Sequence, residues 1–108
     1  MSTPKPQPEL HALAEIDQVI HAPARLMILT YLYVVQSADY VFLLRLTGLT
    51  WGNLSTHLSR LEEAGYVAVT KEFKGKKPHT TISLTTEGRQ AFKEYKKSMQ
   101  QVLDDLPD

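Results

Sequence analysis

The chain has 108 residues, 43% of them apolar, no cysteine, and 12 basic residues against 12 acidic ones. That length suits one compact core, the missing cysteines exclude a disulfide framework, a thiolate metal site and a thiol redox switch, and no apolar run approaches the roughly 20 residues needed to span a bilayer. The balanced total says nothing for a polyanion partner, so any such partner has to be argued from where the charges lie.

The segment MSTPKPQPE lacks the apolar stretch of a signal peptide and reads as a disordered lead-in over residues 1–8 of a cytoplasmic protein, with one domain over 9–108. Leu10, Leu13, Ile16 and Ile20 recur at helical spacing, broken by Asp17, and predict a partly buried helix from about Glu9 to Val19. Pro23 suits the first turn of a second helix, and ARLMILTYLYVV is apolar on nearly every side, which puts it in the middle of the domain although Ala22 is a poor cap. Asp39 is a good N-cap for a third helix from Tyr40 to about Thr47, and Gly48 stops it. Thr50 caps the next, Trp51 to Ala64, in which Leu54, Leu58 and Leu61 form one inward stripe. Only Gly48, Leu49 and Thr50 separate these helices, the tight turn of a helix-turn-helix.

After Gly65 the period changes from helical to alternating, with Val67, Val69 and Phe73 on one face and Ala68, Thr70, Glu72 and Lys74 on the other. Gly75 to Pro78 is turn chemistry, and Thr80 to Leu84 is a second strand with Ile82 and Leu84 facing in, so the pair forms a hairpin wing. Thr85 caps a last helix, placed over residues 86–106, whose Phe92, Tyr95, Met99, Val102 and Leu106 make an apolar stripe ending before Pro107. The fold expected is mainly α, of α+β class: a winged helix-turn-helix with a two-stranded wing and a long C-terminal dimerisation helix.

With Leu54 at the centre of the buried face, Gly52, Thr56, Ser59 and Glu63 lie opposite, flanked by Asn53 and Arg60. Small polar groups and one arginine suit a DNA groove: Asn pairs with adenine, Arg with guanine or phosphate, Ser and Thr with phosphate or a thymine methyl. Trp51, at the helix start, contacts DNA or covers the turn. Most polar helix faces are merely solvated; here the tight turn before and the basic hairpin after favour a nucleic-acid contact. The wing tip carries Lys71, Lys74, Lys76, Lys77 and His79 against Glu72, and residues 51–83 hold five basic and three acidic side chains, a local net charge of +2 in a neutral chain.

His57, alone on its helix, reads as a packing or hydrogen-bonding residue. No two of the four histidines, His11, His21, His57 and His79, lie at helical ligand spacing, so no metal is expected. No nucleophile with a base and no phosphate-binding glycine loop can be assembled, and the chain is read as a non-enzyme without a catalytic residue or cofactor. The competing reading is a winged helix used for protein contacts without DNA.

GLTWGNLSTHLSRLEEAGYV, together with PARLMIL upstream and KGKKPHTTISLTTEGRQAF downstream, resembles winged-helix transcriptional regulators of the broad MarR and ArsR type. The likeness lies in a glycine turn, Ser-x-His-Leu, a Leu-Glu pair, Gly-Tyr-Val entering the wing and Leu-Thr-x-x-Gly entering the last helix. It spans roughly Ile16 to Phe92. The resemblance implies a homodimer on a pseudo-palindromic operator, base reading by Asn53, Ser55, Thr56, Ser59 and Arg60, and backbone contact by Lys74, Lys76 and Lys77. The metal-sensing branch uses cysteines absent here, the larger branch has longer flanking helices around its effector crevice, and the effector, if one exists, is not identified. The dimer expectation has its own support, since the stripe of the last helix needs a cover: a second copy or the first helix of the same chain. A second copy is expected, with Leu10, Leu13, Phe92, Tyr95, Met99, Val102 and Leu106 at the interface.

Overall fold

The computed structural model describes residues 13–107, so Leu10 and the lead-in lie outside the described residues. Helix α1 is Pro23–Val35, β1 is Ser37–Asp39, α2 is Tyr40–Thr47, α3 is Trp51–Glu63, β2 is Val67–Lys74, β3 is Lys77–Leu84 and α4 is Thr86–Asp104. The strands form one antiparallel sheet in the order β1-β3-β2. No helix among the described residues is long and apolar enough to cross a membrane.

The helix starts follow the local chemistry. Asp39 accepts a hydrogen bond from the Phe42 amide at 2.7 Å, Thr50 from Asn53 at 3.2 Å and Thr85 from Gly88 at 2.9 Å, each satisfying one of the amides a helix leaves unpaired at its start. Ala22 contributes no such bond, and α1 begins on Pro23 instead. Gly48 closes α2 with a φ of +68°, the left-handed turn that lets α3 start three residues later.

The apolar stripes meet in one core. Ile28, Leu29 and Leu32 of α1, Leu43 of α2, and Leu54, Leu58 and Leu61 of α3 pack with Val67, Ile82 and Leu84 of the sheet and with Ile16 and Ile20. Helix α1 does not lie in the middle as its all-round apolarity predicts: Ile28, Leu29 and Leu32 are buried on one face, while Met27, Val34 and Val35 stay exposed. Gly88 marks the docking of α4: a Cβ there would stand 2.1 Å from the Tyr66 carbonyl oxygen, so only glycine lets the helix come that close.

The structure corrects the expected architecture in four further places. The first helix does not continue to Val19: Leu13 and Ala14 are helical, and the chain then turns. Asp17 holds the turn that follows, because its Oδ1 accepts from the Val19 and Ile20 amides while its Oδ2 accepts from the Tyr66 hydroxyl. The sheet has a third strand, β1. It exists because Gln36, at a φ of +75°, is held from both sides by Leu84: its carbonyl accepts from the Leu84 amide at 2.9 Å and its side-chain amide donates to the Leu84 carbonyl at 2.7 Å. Strand β3 starts at Lys77 rather than Thr80, with Pro78 placed where β3 has β2 as its only neighbour, an edge position a proline tolerates. Phe73 shares a face with Val67 and Val69 but lies past the core, 74% exposed.

Candidate nucleic-acid interface

Helix α3 is pinned by its three leucines, all buried, which turns the opposite flank to solvent. Gly52, Asn53, Thr56, Ser59, Arg60 and Glu63 are exposed, while Ser55 and His57 are half-buried at the two edges of that flank. Trp51 is 60% exposed and packs its ring 4.5 Å from that of Tyr40.

Hydrogen bonding decides what the small side chains offer. The Tyr40 hydroxyl donates to the Trp51 carbonyl at 2.7 Å and lies 2.6 Å from Ser55 Oγ. Tyrosine has one proton and a carbonyl only accepts, so Ser55 donates to Tyr40 and keeps only lone pairs for another partner. Thr56 donates to the Gly52 carbonyl at 3.0 Å, which leaves its methyl and lone pairs outward. Asn53, Ser59 and Arg60 make no side-chain hydrogen bond among the described residues and carry the free donors of the flank.

His57 points away from the flank. Arg25 donates to His57 Nδ1 at 3.1 Å and also to the Val19 and Gln18 carbonyls, tying α3 to the turn before α1. A guanidinium cannot accept, so the His57 ring is neutral at Nδ1. Burial, and secondarily the Arg25 charge, hold its pKa below the usual histidine value. Tyr40 and Arg25 are the supports of α3 that the sequence reading missed. Neither carries a spacing signal, since each acts across a tertiary contact.

The wing runs beside α3. Between them lies an open groove of about 640 Å³, lined by Tyr40, Trp51, Ser55, Ser59, Lys71 and Thr80 among others. Lys71, Lys74, Lys76 and Lys77 are exposed, and His79 is half-buried opposite Glu72. Lys74 and Lys77 stand directly opposite each other across the hairpin, an arrangement that costs stability unless an anion relieves it.

The expected interface residues of α4 divide. Phe92 and Tyr95 are buried in the subunit's own core, Phe92 with its ring 5.1 Å from Tyr33 and Tyr95 bonded through its hydroxyl to His21 Nδ1 at 2.8 Å. They are therefore covered within the chain, a correction caused by α1 and the turn before it lying over the first half of α4. Met99 is partly buried and Val102 buried. Leu13, Leu103 and Leu106 remain exposed, Leu103 and Leu106 by more than half. Leu10 lies outside the described residues.

Residues 24–103 match the family model described as a winged helix DNA-binding domain. An uncharacterized protein of Methanocaldococcus jannaschii is 36% identical over 78 residues, covering 72% of this chain and 85% of that protein. Among solved structures, the transcriptional regulator homologue protein from Pyrococcus horikoshii OT3 superposes with a TM-score of 0.82 at 29% identity, over 92% of this chain and 99% of that one. Overoxidized AbfR bound to DNA shares the fold with a TM-score of 0.70 at 22% identity, over 90% of this chain and 68% of that one. The chain thus belongs to the winged-helix DNA-binding domain family and has the fold of transcriptional regulators of the broad MarR type.

Proposed function

We propose that the chain is a cytoplasmic transcriptional regulator that binds double-stranded DNA as a homodimer. Helix α3 enters the major groove with Asn53, Ser55, Thr56, Ser59 and Arg60 toward the bases and Trp51 at the groove edge, and Lys74, Lys76, Lys77 and His79 hold the phosphate backbone. One observation carries the reading: the polar flank of α3 is exposed along its length and borders a wing whose lysines cluster at the tip. Arg60 is suited to guanine, and Asn53 to adenine. Thr56, its proton already used, is suited to a thymine methyl.

Two copies join through their terminal segments, with Leu13, Met99, Leu103 and Leu106 in the contact and the exposed Leu103 replacing Phe92, Tyr95 and Val102, which the subunit buries. A two-fold pair of α3 helices meets half-sites about 34 to 36 Å apart, one turn of B-DNA. Selection of bound duplexes from a random pool tests the whole proposal. The expected product is an inverted repeat with that spacing, and recovery of no enriched sequence together with salt-insensitive retention would contradict it.

A further inference from the structure

We propose that Phe73 is an apolar wedge which enters the minor groove beside the site of α3 and bends the duplex there. The inference rests on the DNA-binding reading above and adds an activity to it. Register places the ring. Val67 faces Leu84, Val69 faces Ile82, Lys71 faces Thr80 and Phe73 faces Pro78, and these pairs share one side of the hairpin. Val67, Leu84 and Ile82 close the core, Lys71 and Thr80 line the groove along α3, and Phe73 with Pro78 ends the same side at the tip. Phe73 thus lies on the side of the wing that borders α3.

A single exposed apolar residue needs no special account. The company of this one does. Phe73 is 74% exposed and lies outside the core cluster, Lys71 precedes it on the same side of the hairpin, and the exposed Lys74, Lys76 and Lys77 follow it within four residues at the tip. A partner that satisfies this tip has to offer dense negative charge around an apolar cleft. A duplex does so, with phosphates along the groove edges and sugar walls and stacked bases inside.

Phe73 lies four residues, or about 13 Å of strand, beyond Val69, which still packs on the core, so the ring stands well clear of the body of the subunit. A ring wedged at a base step partly unstacks it and bends the DNA, most cheaply at pyrimidine–purine steps. Sequence preference then arises where the chain makes no base hydrogen bond.

The test compares the wild-type protein with Phe73→Ala and Phe73→Leu on a duplex of about 30 base pairs recovered by selection from a random pool, with affinity read by anisotropy and bending by energy transfer between end labels. Phe73→Ala is expected to weaken binding about tenfold, or about 1.4 kcal/mol, and to remove most of the bend. The salt slope stays unchanged, because an apolar contact releases no counterion. Phe73→Leu retains part of both effects. A Phe73→Ala protein that binds and bends DNA like the wild type overturns the proposal, as does weaker binding with an unaltered bend. A change of oligomeric state in light scattering also overturns it, by assigning the ring to a second copy of the chain. Failure of the wild type to bind any duplex defeats the DNA-binding reading itself, and the wedge with it.

Discussion

Helices α3 and α4 carry the same kind of amphipathic pattern but meet different surroundings. In α3 the subunit covers the entire apolar stripe, Leu54, Leu58 and Leu61, and leaves a flank of small polar residues in water. In α4 the subunit covers Phe92, Tyr95 and Val102 but leaves Leu103 exposed near the far end, and Leu106 exposed just beyond it. The contrast separates two kinds of unoccupied surface. A polar flank beside a lysine-rich wing fits a wet, charged partner such as DNA, whereas an apolar helix end fits another protein surface. Periodicity alone shows neither, because it gives the direction of a side chain and not what lies over it.

The largest effect that separates the two faces of α3 is on stability. Leu54→Ala should cost about 2–5 kcal/mol in urea denaturation, while Thr56→Ala on the opposite flank should stay within about 0.5 kcal/mol and still weaken DNA binding. Equal losses of stability would show that the flank is not free. Next come the end of α4 and the residues just past it. Leu103→Asp combined with Leu106→Asp should raise the dimer dissociation constant about tenfold or more in sedimentation with the fold intact in circular dichroism, and an unaffected dimer would move the interface elsewhere.

A smaller effect is expected at the wing. Lys76→Ala with Lys77→Ala should lower the salt slope of DNA binding by close to two, at about 0.9 for each phosphate released. An unchanged slope would remove the turn from the contact. The smallest effect concerns pH. His57 has its pKa depressed in the folded chain by burial and by Arg25, so the unfolded chain takes up the proton first. Stability is then full above the ordinary value of 6.5 and declines as the pH falls through the lowered folded value. His57→Gln should flatten that part of the stability profile, and an identical profile in wild type and variant would assign the acid sensitivity to another group.

What could be read in advance was local. Asp39, Thr50 and Thr85 cap helices with their own side chains, Gly48 makes the turn, and the α3 leucines repeat at helical spacing, so four to eight neighbouring residues contain each signal. What escaped was tertiary. Strand β1 is the three residues Ser37–Asp39, with no alternation of its own, formed because Gln36 is clamped to Leu84, 48 positions away in the chain. Asp17 looked like an interruption in a helix and is instead the acceptor that holds the turn after it. Tyr40 and Arg25 support α3 from other elements, so nothing in the α3 sequence announces them.

The central claim is that the outer flank of α3 lies in the groove of a duplex. Amide chemical-shift mapping of the isotope-labelled protein during titration with a selected duplex reads that flank residue by residue. The account predicts the largest changes at Asn53, Thr56, Ser59 and Arg60, with a second group at Lys74, Lys76 and Lys77. Saturable binding that shifts residues of α1 or α4 and leaves these amides unmoved would contradict it.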